Sequence, residues 1–314
     1  MGRVFSCGYD DVMTASGSPK NDGLIARWRL NTILSTAPSA VIMTTLRATG
    51  WGVAAAIAIA VSVASWPVRA DEASGCQNPP AQRALDTNWP INIGQLAQQL
   101  VAYRCTDYMK DVAAAVAQAD DWVRQRAPQV DNAAVVLDID ETSLSNWEAI
   151  YHDHFAYFAD GSCDLGAKIA CGWRDWFLSA RAIALSPTLD FFRMVKTLSD
   201  RNGGKVAVFF VTGRRDEPGM RAATEDNLRK QGYDGWERLY LRPTASPGFV
   251  SGYKTDIRKD IEQNYKIIAN LGDQYSDLIG DPGNDHAEKC FKLPTPFYFL
   301  PPDLPAAGLK CLSR

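Results

Sequence analysis

Asp138 and Asp140 stand one residue apart at the end of an apolar run, Ala133-Ala-Val-Val-Leu137, and Glu141 and Thr142 come directly after them. The β-branched Val135 and Val136 make that run a buried strand. Strand alternation sends both aspartate side chains to the same side, where two bare carboxylates repel. A metal ion or a proton makes such a pair tolerable, as does the use of one member as a nucleophile. The same pair at a strand end can also do no more than cap the next turn, so the downstream sequence decides its meaning.

Three further polar groups lie downstream, each at a strand or helix boundary. Lys205-Val-Ala-Val-Phe-Phe-Val211 stops at Thr212-Gly213-Arg214-Arg215-Asp216-Glu217. Gly252-Tyr253-Lys254 precedes a charged, helix-like stretch from Thr255 to Tyr265. Lys266-Ile-Ile-Ala-Asn-Leu271 ends at Gly272-Asp273-Gln274-Tyr275-Ser276-Asp277. Open α/β sheets build their sites beyond the carboxyl ends of strands. In this order Asp-x-Asp, Thr, Lys and Gly-Asp-x-x-x-Asp resemble the four motifs of the haloacid dehalogenase (HAD) superfamily of phosphohydrolases. Asp-Ile-Asp-Glu-Thr, Thr-Gly-Arg and Gly-Asp-Gln-x-Ser-Asp are similar to its acid phosphatase branch. That branch holds class B and class C bacterial enzymes and plant acid phosphatase/vegetative storage proteins. The resemblance covers residues 86 to 300.

The resemblance implies roles. Asp138 is the expected nucleophile, forming an aspartyl-phosphate. Asp140 is the expected general acid and base, its proton also easing repulsion from Asp138. Thr212 is expected to hydrogen-bond a phosphoryl oxygen, and Lys254 to hold Asp138 ionised and offset phosphoryl charge. The implied cofactor is Mg²⁺, bound by Asp273 with the Asp138 carboxylate and the Asp140 main-chain carbonyl, an oxygen set that suits a hard cation. Asp277 either ligates the ion through water or orients Asp273.

Other residues carry weaker signals. The three histidines, His152, His154 and His286, read as solvated or internally satisfied, because the metal expected here needs carboxylates. Arg214 and Arg215 either grip phosphate or pair with Asp216 and Glu217. Ser143 lacks the strand-turn-helix setting of a nucleophilic serine.

The elements that must position these groups alternate strand with helix. That implies parallel βαβ units and an α/β fold, a Rossmann-like parallel sheet of the HAD type. Strands are expected at 133–139, 205–211, 238–241, 266–271 and 297–300. Ile93 to Arg126 reads as one long helix or two, with Asn92 as N-cap, and Thr188 to Asp200 and Glu217 to Gln231 as further helices. Between strands 1 and 2 lies an insertion rich in aromatic residues, about 146–186, expected to be a small, mainly helical cap. Trp147, Tyr151 and Trp173 within it are candidates to stack a nucleobase, or they are the core of that cap.

Trp51 to Ser65 is an apolar stretch without charge, preceded by Arg47 and succeeded by Val68-Arg69-Ala70. Its fifteen residues are short for a membrane span and suit a signal-peptide core, with cleavage expected after Ala70. Residues 1–70 are then an N-terminal extension plus signal peptide, and 71–314 the phosphatase domain. A start at Met43 gives a signal peptide of ordinary length. Cleavage leaves 27 Lys+Arg against 33 Asp+Glu, which argues against a nucleic-acid polymer as partner. Six cysteines remain, an even number that suits disulfides in an exported chain. Nearest-neighbour pairing, 76–105, 163–171 and 290–311, is the expected connectivity, and lipidation of Cys76 is disfavoured because it leaves an odd thiol.

The sequence therefore reads as a secreted or periplasmic, Mg²⁺-dependent acid phosphatase hydrolysing phosphomonoesters, nucleoside monophosphates among the candidates, with no membrane span after signal cleavage. The rivals are a sugar-phosphate phosphatase or phosphotransferase, and a non-catalytic storage or binding protein on the same fold.

Overall fold

The structure is a computed structural model that describes residues 73–81, 90–280 and 284–299. The signal-peptide core, the cleavage point, Met43 and Cys311 lie outside the described residues. Five strands, β1 (Ala133–Leu137), β4 (Ala207–Arg215), β5 (Arg238–Arg242), β6 (Lys266–Gly272) and β7 (Lys289–Lys292), form one parallel sheet in the order β5-β4-β1-β6-β7. The chain runs outward from β1 on one side, then crosses to build the other side. The crevice that a reversal of strand order opens therefore lies beyond the carboxyl end of β1.

Strand alternation divides the apolar residues between two faces. Val135, Leu137, Val208, Phe210 and Ile268 pack against helices α2 (Tyr108–Arg126), α5 (Ser186–Thr197) and α6 (Met220–Lys230). Ala134, Val136, Phe209, Val211 and Ile267 pack against α7 (Val250–Glu262) through Ile261. All five residues of β1 are buried, as a strand covered on both faces requires.

The long helical segment is two helices. In α1 (Ile93–Thr106) the Asn92 side chain accepts from the Gly94 and Gln95 amides at 2.9 and 3.2 Å, so the expected N-cap is present. The chain turns at Asp107 into α2, whose Trp122 indole donates to the Ile268 carbonyl at 2.8 Å and so ties it to β6.

One strand expectation is overturned. Among the described residues the last strand is Lys289–Lys292, and 297–299 form none. Pro294 and Pro296 stand directly before the later run, and a proline nitrogen has no hydrogen to give a ladder. The aromatic residues there serve side-chain packing: Phe297 meets the rings of Tyr108 and Trp147 at 4.9 and 5.1 Å, and Tyr298 meets Trp173 at 5.8 Å.

Between β1 and β4 the segment 146–182 is closed at its base by two short strands, β2 (Leu144–Ser145) and β3 (Ile183–Ala184), paired antiparallel. It holds two six-residue helices, α3 (Trp147–His152) and α4 (Trp173–Leu178). The irregular chain between them is stapled by Cys163–Cys171. Cys76–Cys105 ties the N-terminal segment to α1. Both are expected pairs, and Cys290 is disulfide-bonded as well.

Candidate active site

Asp138 sits one residue past β1, where its amide still donates to the Leu271 carbonyl of β6 at 3.0 Å. Its own carbonyl accepts from the Ser143 hydroxyl at 2.6 Å, and Tyr233 in turn donates to the Ser143 carbonyl at 2.9 Å. Ser143 thus fixes the backbone of the turn. Lys254 is buried, and its Nζ donates to Asp138 Oδ1 and, at 2.6 Å, to Asp277 Oδ1. The lysine stands in the second turn of α7, because that helix begins at Val250 rather than at Thr255.

Beyond β6 the short helix α8 (Tyr275–Leu278) opens with a capping box, in which the Asp277 carboxylate accepts from the Gln274 amide at 2.8 Å. Asp273 lies beside it, accepting from the Gln274 side-chain amide at 3.0 Å and from Thr142 Oγ1 at 3.4 Å. The glycine before Asp273 is a packing requirement. A Cβ on Gly272 would lie 2.3 Å from the Cβ of Asp277.

Asp138, Asp273 and Asp277 are all buried, with carboxylate oxygens within 4.8 Å of one another. Burial and the charge of Asp277 push the Asp138 carboxyl well above its ordinary range, against the pull of Lys254. Burial, then Asp277 and Glu141, push Asp273 up to about 8. Burial alone would lower the Lys254 ammonium, but Asp138 and Asp277 outweigh it and the net direction is upward. Lys254 and, at the Asp273 carbonyl, Lys292 thus face three buried carboxylates. A divalent cation held by oxygen ligands would cancel the excess, so the donor set fits a metal of the Mg²⁺ kind.

Asp140 is held differently. Arg214 donates through Nη2 to Oδ1 at 2.7 Å and through Nε to Oδ2 at 3.1 Å, a two-pronged grip. Thr212 Oγ1 reaches Asp140 Oδ2 at 3.5 Å, and the Asn146 side-chain amide donates to Oδ1 at 2.9 Å. Asn146 is itself aimed by the Trp176 indole, which donates to its oxygen at 2.8 Å. The register of β4 against β5 shifts between Thr212 and Arg215, and such a bulge re-aims side chains at a strand end. Arg214 therefore pairs with neither acid expected for it. Asp216 is bound by Arg221 and Glu217 by Arg174, both at 2.9 Å.

Asp138, Asp140, Lys254 and Asp277 open onto one cavity of about 390 Å³, while Thr212 and Asp273 lie buried behind its wall. Comparisons with known proteins agree with this geometry. The family described as HAD superfamily, subfamily IIIB (Acid phosphatase) matches residues 68–301. The chain belongs to that family. It is similar to Acid phosphatase 1 of Solanum lycopersicum, 28% identical over 209 residues, which are 62% of this chain and 74% of the relative. It is also similar to the Stem 28 kDa glycoprotein of Glycine max, 36% identical over 168 residues, 52% of this chain and 59% of the relative. Vegetative storage protein 2 of Arabidopsis thaliana is 40% identical over 80 residues, 25% of this chain and 28% of the relative. The chain thus spans about three quarters of the tomato relative and less than two thirds of the soybean one. Family and tomato relative support a phosphomonoesterase.

Within this acid phosphatase family member, the aromatic expectations divide. Trp173 lines the cavity, with Tyr157, Phe177 and Tyr298. Trp147 is buried in the core, stacked on Tyr151 at 5.7 Å, and neither lines the cavity. The histidines stand apart from the aspartates of the site. His152 Nε2 contacts the Ile169 carbonyl at 2.8 Å, and His286 contacts Glu262 at 2.6 Å. Two features of the site escape sequence reasoning. The partner of Arg214 is one, since Asp140 is 74 positions away. Asn146 is the other and carries no signal of its own; only its place five residues after Glu141, whose carboxylate it also binds at 2.8 Å, hints at a role.

Proposed function

We propose that this chain is an exported, Mg²⁺-dependent acid phosphatase that hydrolyses phosphomonoesters through an aspartyl-phosphate on Asp138. The observation that carries the reading is Asp138 held by buried Lys254 at the cavity floor, with Asp140 beside it in the grip of Arg214.

An Asp138 oxygen attacks phosphorus and the ester P–O bond breaks. Asp140 gives its proton to the departing alkoxide oxygen. Water then transfers a proton to Asp140 as its oxygen attacks phosphorus, and the Asp138–phosphorus bond breaks to release inorganic phosphate. Lys254 fixes the attacking carboxylate and offsets phosphoryl charge, while Thr212 supplies a hydroxyl to the same group. Arg214 and Asn146 are positioning residues that set the direction of the Asp140 carboxylate. Mg²⁺ would be held by Asp138, Asp273 and the Asp140 carbonyl, with Asp277 behind, and would supply positive charge to the phosphoryl oxygens.

The segment 146–182 then acts as the cap. Its Tyr157, Trp173 and Phe177 give the cavity an aromatic wall that suits a planar leaving group such as a nucleoside. Disulfides at Cys76–Cys105 and Cys163–Cys171 suit an oxidising compartment, and no helix among the described residues is long and apolar enough to cross a membrane.

The test is a panel of phosphomonoesters assayed with purified protein, with and without Mg²⁺. Release of phosphate that depends on the metal is expected. A fully metal-loaded, folded protein that releases none would favour the storage reading instead. Amino-terminal sequencing of exported material is expected to begin at Asp71.

A further inference from the structure

At the rim of the same cavity β4 and β5 end side by side on two arginines. Arg215 and Arg242 are register partners across the two strands, and both line the cavity. Among the described residues neither is in an ion pair. The acids just after Arg215 are engaged elsewhere, Asp216 by Arg221 and Glu217 by Arg174. Arg242 is buried, and its Nη2 donates to the Ser246 and Gly248 carbonyls at 3.4 and 2.5 Å. Its Nε is buried with no hydrogen-bond partner. Arg215 is exposed and anchored through Nη1 to the Thr244 carbonyl at 2.8 Å, which leaves the rest of its fork open.

Two guanidinium groups with no carboxylate between them are an arrangement a protein maintains at a cost. An unpaired N–H out of water adds to it, because the group has lost its hydration and gained nothing in return. Burial and the charge of Arg215 both hold the Arg242 guanidinium below its ordinary value. An anion would relieve both effects. Asp138 and Asp277 share Lys254 deeper in the cavity, and of the lining acids only Asp160, exposed on the segment 146–182, is in no ion pair among the described residues. Burial, then the charge of Asp160, push the Tyr157 hydroxyl above its ordinary value, and Arg215 opposes them.

The geometry points to Arg215 and Arg242 as a second anion subsite, one that takes a phosphate or carboxylate carried on the leaving part of the phosphomonoester. This rests on the phosphatase reading above. The preferred substrates are then esters with two anionic ends, one held over Asp138 and the other at the rim.

Matched series of ω-hydroxyalkyl phosphates, ω-carboxyalkyl phosphates and α,ω-alkanediol bisphosphates test it, with kcat/KM measured against chain length. The wild type is expected to prefer the doubly anionic compounds at one chain length. In Arg215→Gln, an exposed site where the fold tolerates exchange, the ratio of doubly to singly anionic kcat/KM is expected to fall by about tenfold or more. The carboxylate and bisphosphate arms show which anion the rim selects. Titration of the same compounds into Asp138→Asn by calorimetry reads affinity without turnover. A wild type inactive on every compound sinks the phosphatase reading alone. Equal ratios in the wild type and Arg215→Gln, by rate and by affinity, overturn the subsite.

Discussion

Asp138→Asn keeps the side-chain volume and removes the nucleophile. Turnover is expected to fall at least about a thousandfold, about 4 kcal/mol of barrier, with an unchanged fold by circular dichroism. Near-normal phosphate release by that variant would remove Asp138 from the reaction. Arg214 asks a finer question, because it acts through Asp140 rather than on the substrate. Arg214→Lys keeps a positive charge and loses the two-pronged grip on Asp140. Proton donation matters most when the leaving group is a poor one, so alkyl phosphates should lose about tenfold or more in kcat. Aryl phosphates such as p-nitrophenyl phosphate should lose much less. Equal losses on both would mean that Arg214 does not work through Asp140. Asp138, Asp140, Lys254 and Asp273 are legible in the sequence because each stands at the boundary of a recognisable strand or helix. The ion pair of Arg214 is not, since it joins two strand ends that only the folded sheet brings together.

Element boundaries are legible in local composition wherever one element decides its own fate. Asn92 caps α1 through its own side chain, and β1 reads as buried because its own residues are apolar. The last strand is not legible in this way, because edge pairing depends on what β6 offers and not on how apolar the candidate is; Lys289–Lys292 carries charge at both ends, as exposed edges tend to. The segment 146–182 shows the same dependence on contacts. Gly172 stands between Cys171 and α4, where the 158–162 stretch runs close beside it: Trp173 donates to the Phe158 carbonyl at 2.8 Å and Arg174 to that of Ala159 at 3.2 Å. A Cβ on Gly172 would lie 2.2 Å from the Gly161 carbonyl oxygen, and backbone cannot yield as a flexible side chain can. Gly172→Ala is therefore expected to destabilise the protein by about 1–3 kcal/mol in urea unfolding. It should also lower kcat/KM, since Trp173 and Phe177 of α4 line the cavity. Unchanged unfolding and activity together would show that this segment neither packs tightly nor shapes the site.

The whole molecule carries a net charge of −3, and it gathers Asp138, Asp273 and Asp277 within 4.8 Å of one another in its interior, beside Lys254. A fold that concentrates like charge in this way is poised for an added cation, and its stability should report that cation without any substrate present. Binding that favours only the folded state adds about 2.7 kcal/mol at a hundredfold excess over Kd, or several degrees in Tm. Mg²⁺ is thus expected to raise the melting temperature of protein first stripped with EDTA, and to restore activity in parallel. Asp273→Asn separates metal binding from general salt effects. Burial and its acidic neighbours push the Asp273 carboxyl up to about 8, so its ionised form strains the metal-free fold. The amide should relieve part of that strain and keep the partners at Thr142 and Gln274 within reach. The metal-free variant is therefore expected to melt above the metal-free wild type, and to gain little when Mg²⁺ is added. Calorimetric scans of both proteins, each with and without the ion, decide it. A variant that melts lower without metal and still gains as much from Mg²⁺ as the wild type would show that Asp273 holds the fold rather than the cation.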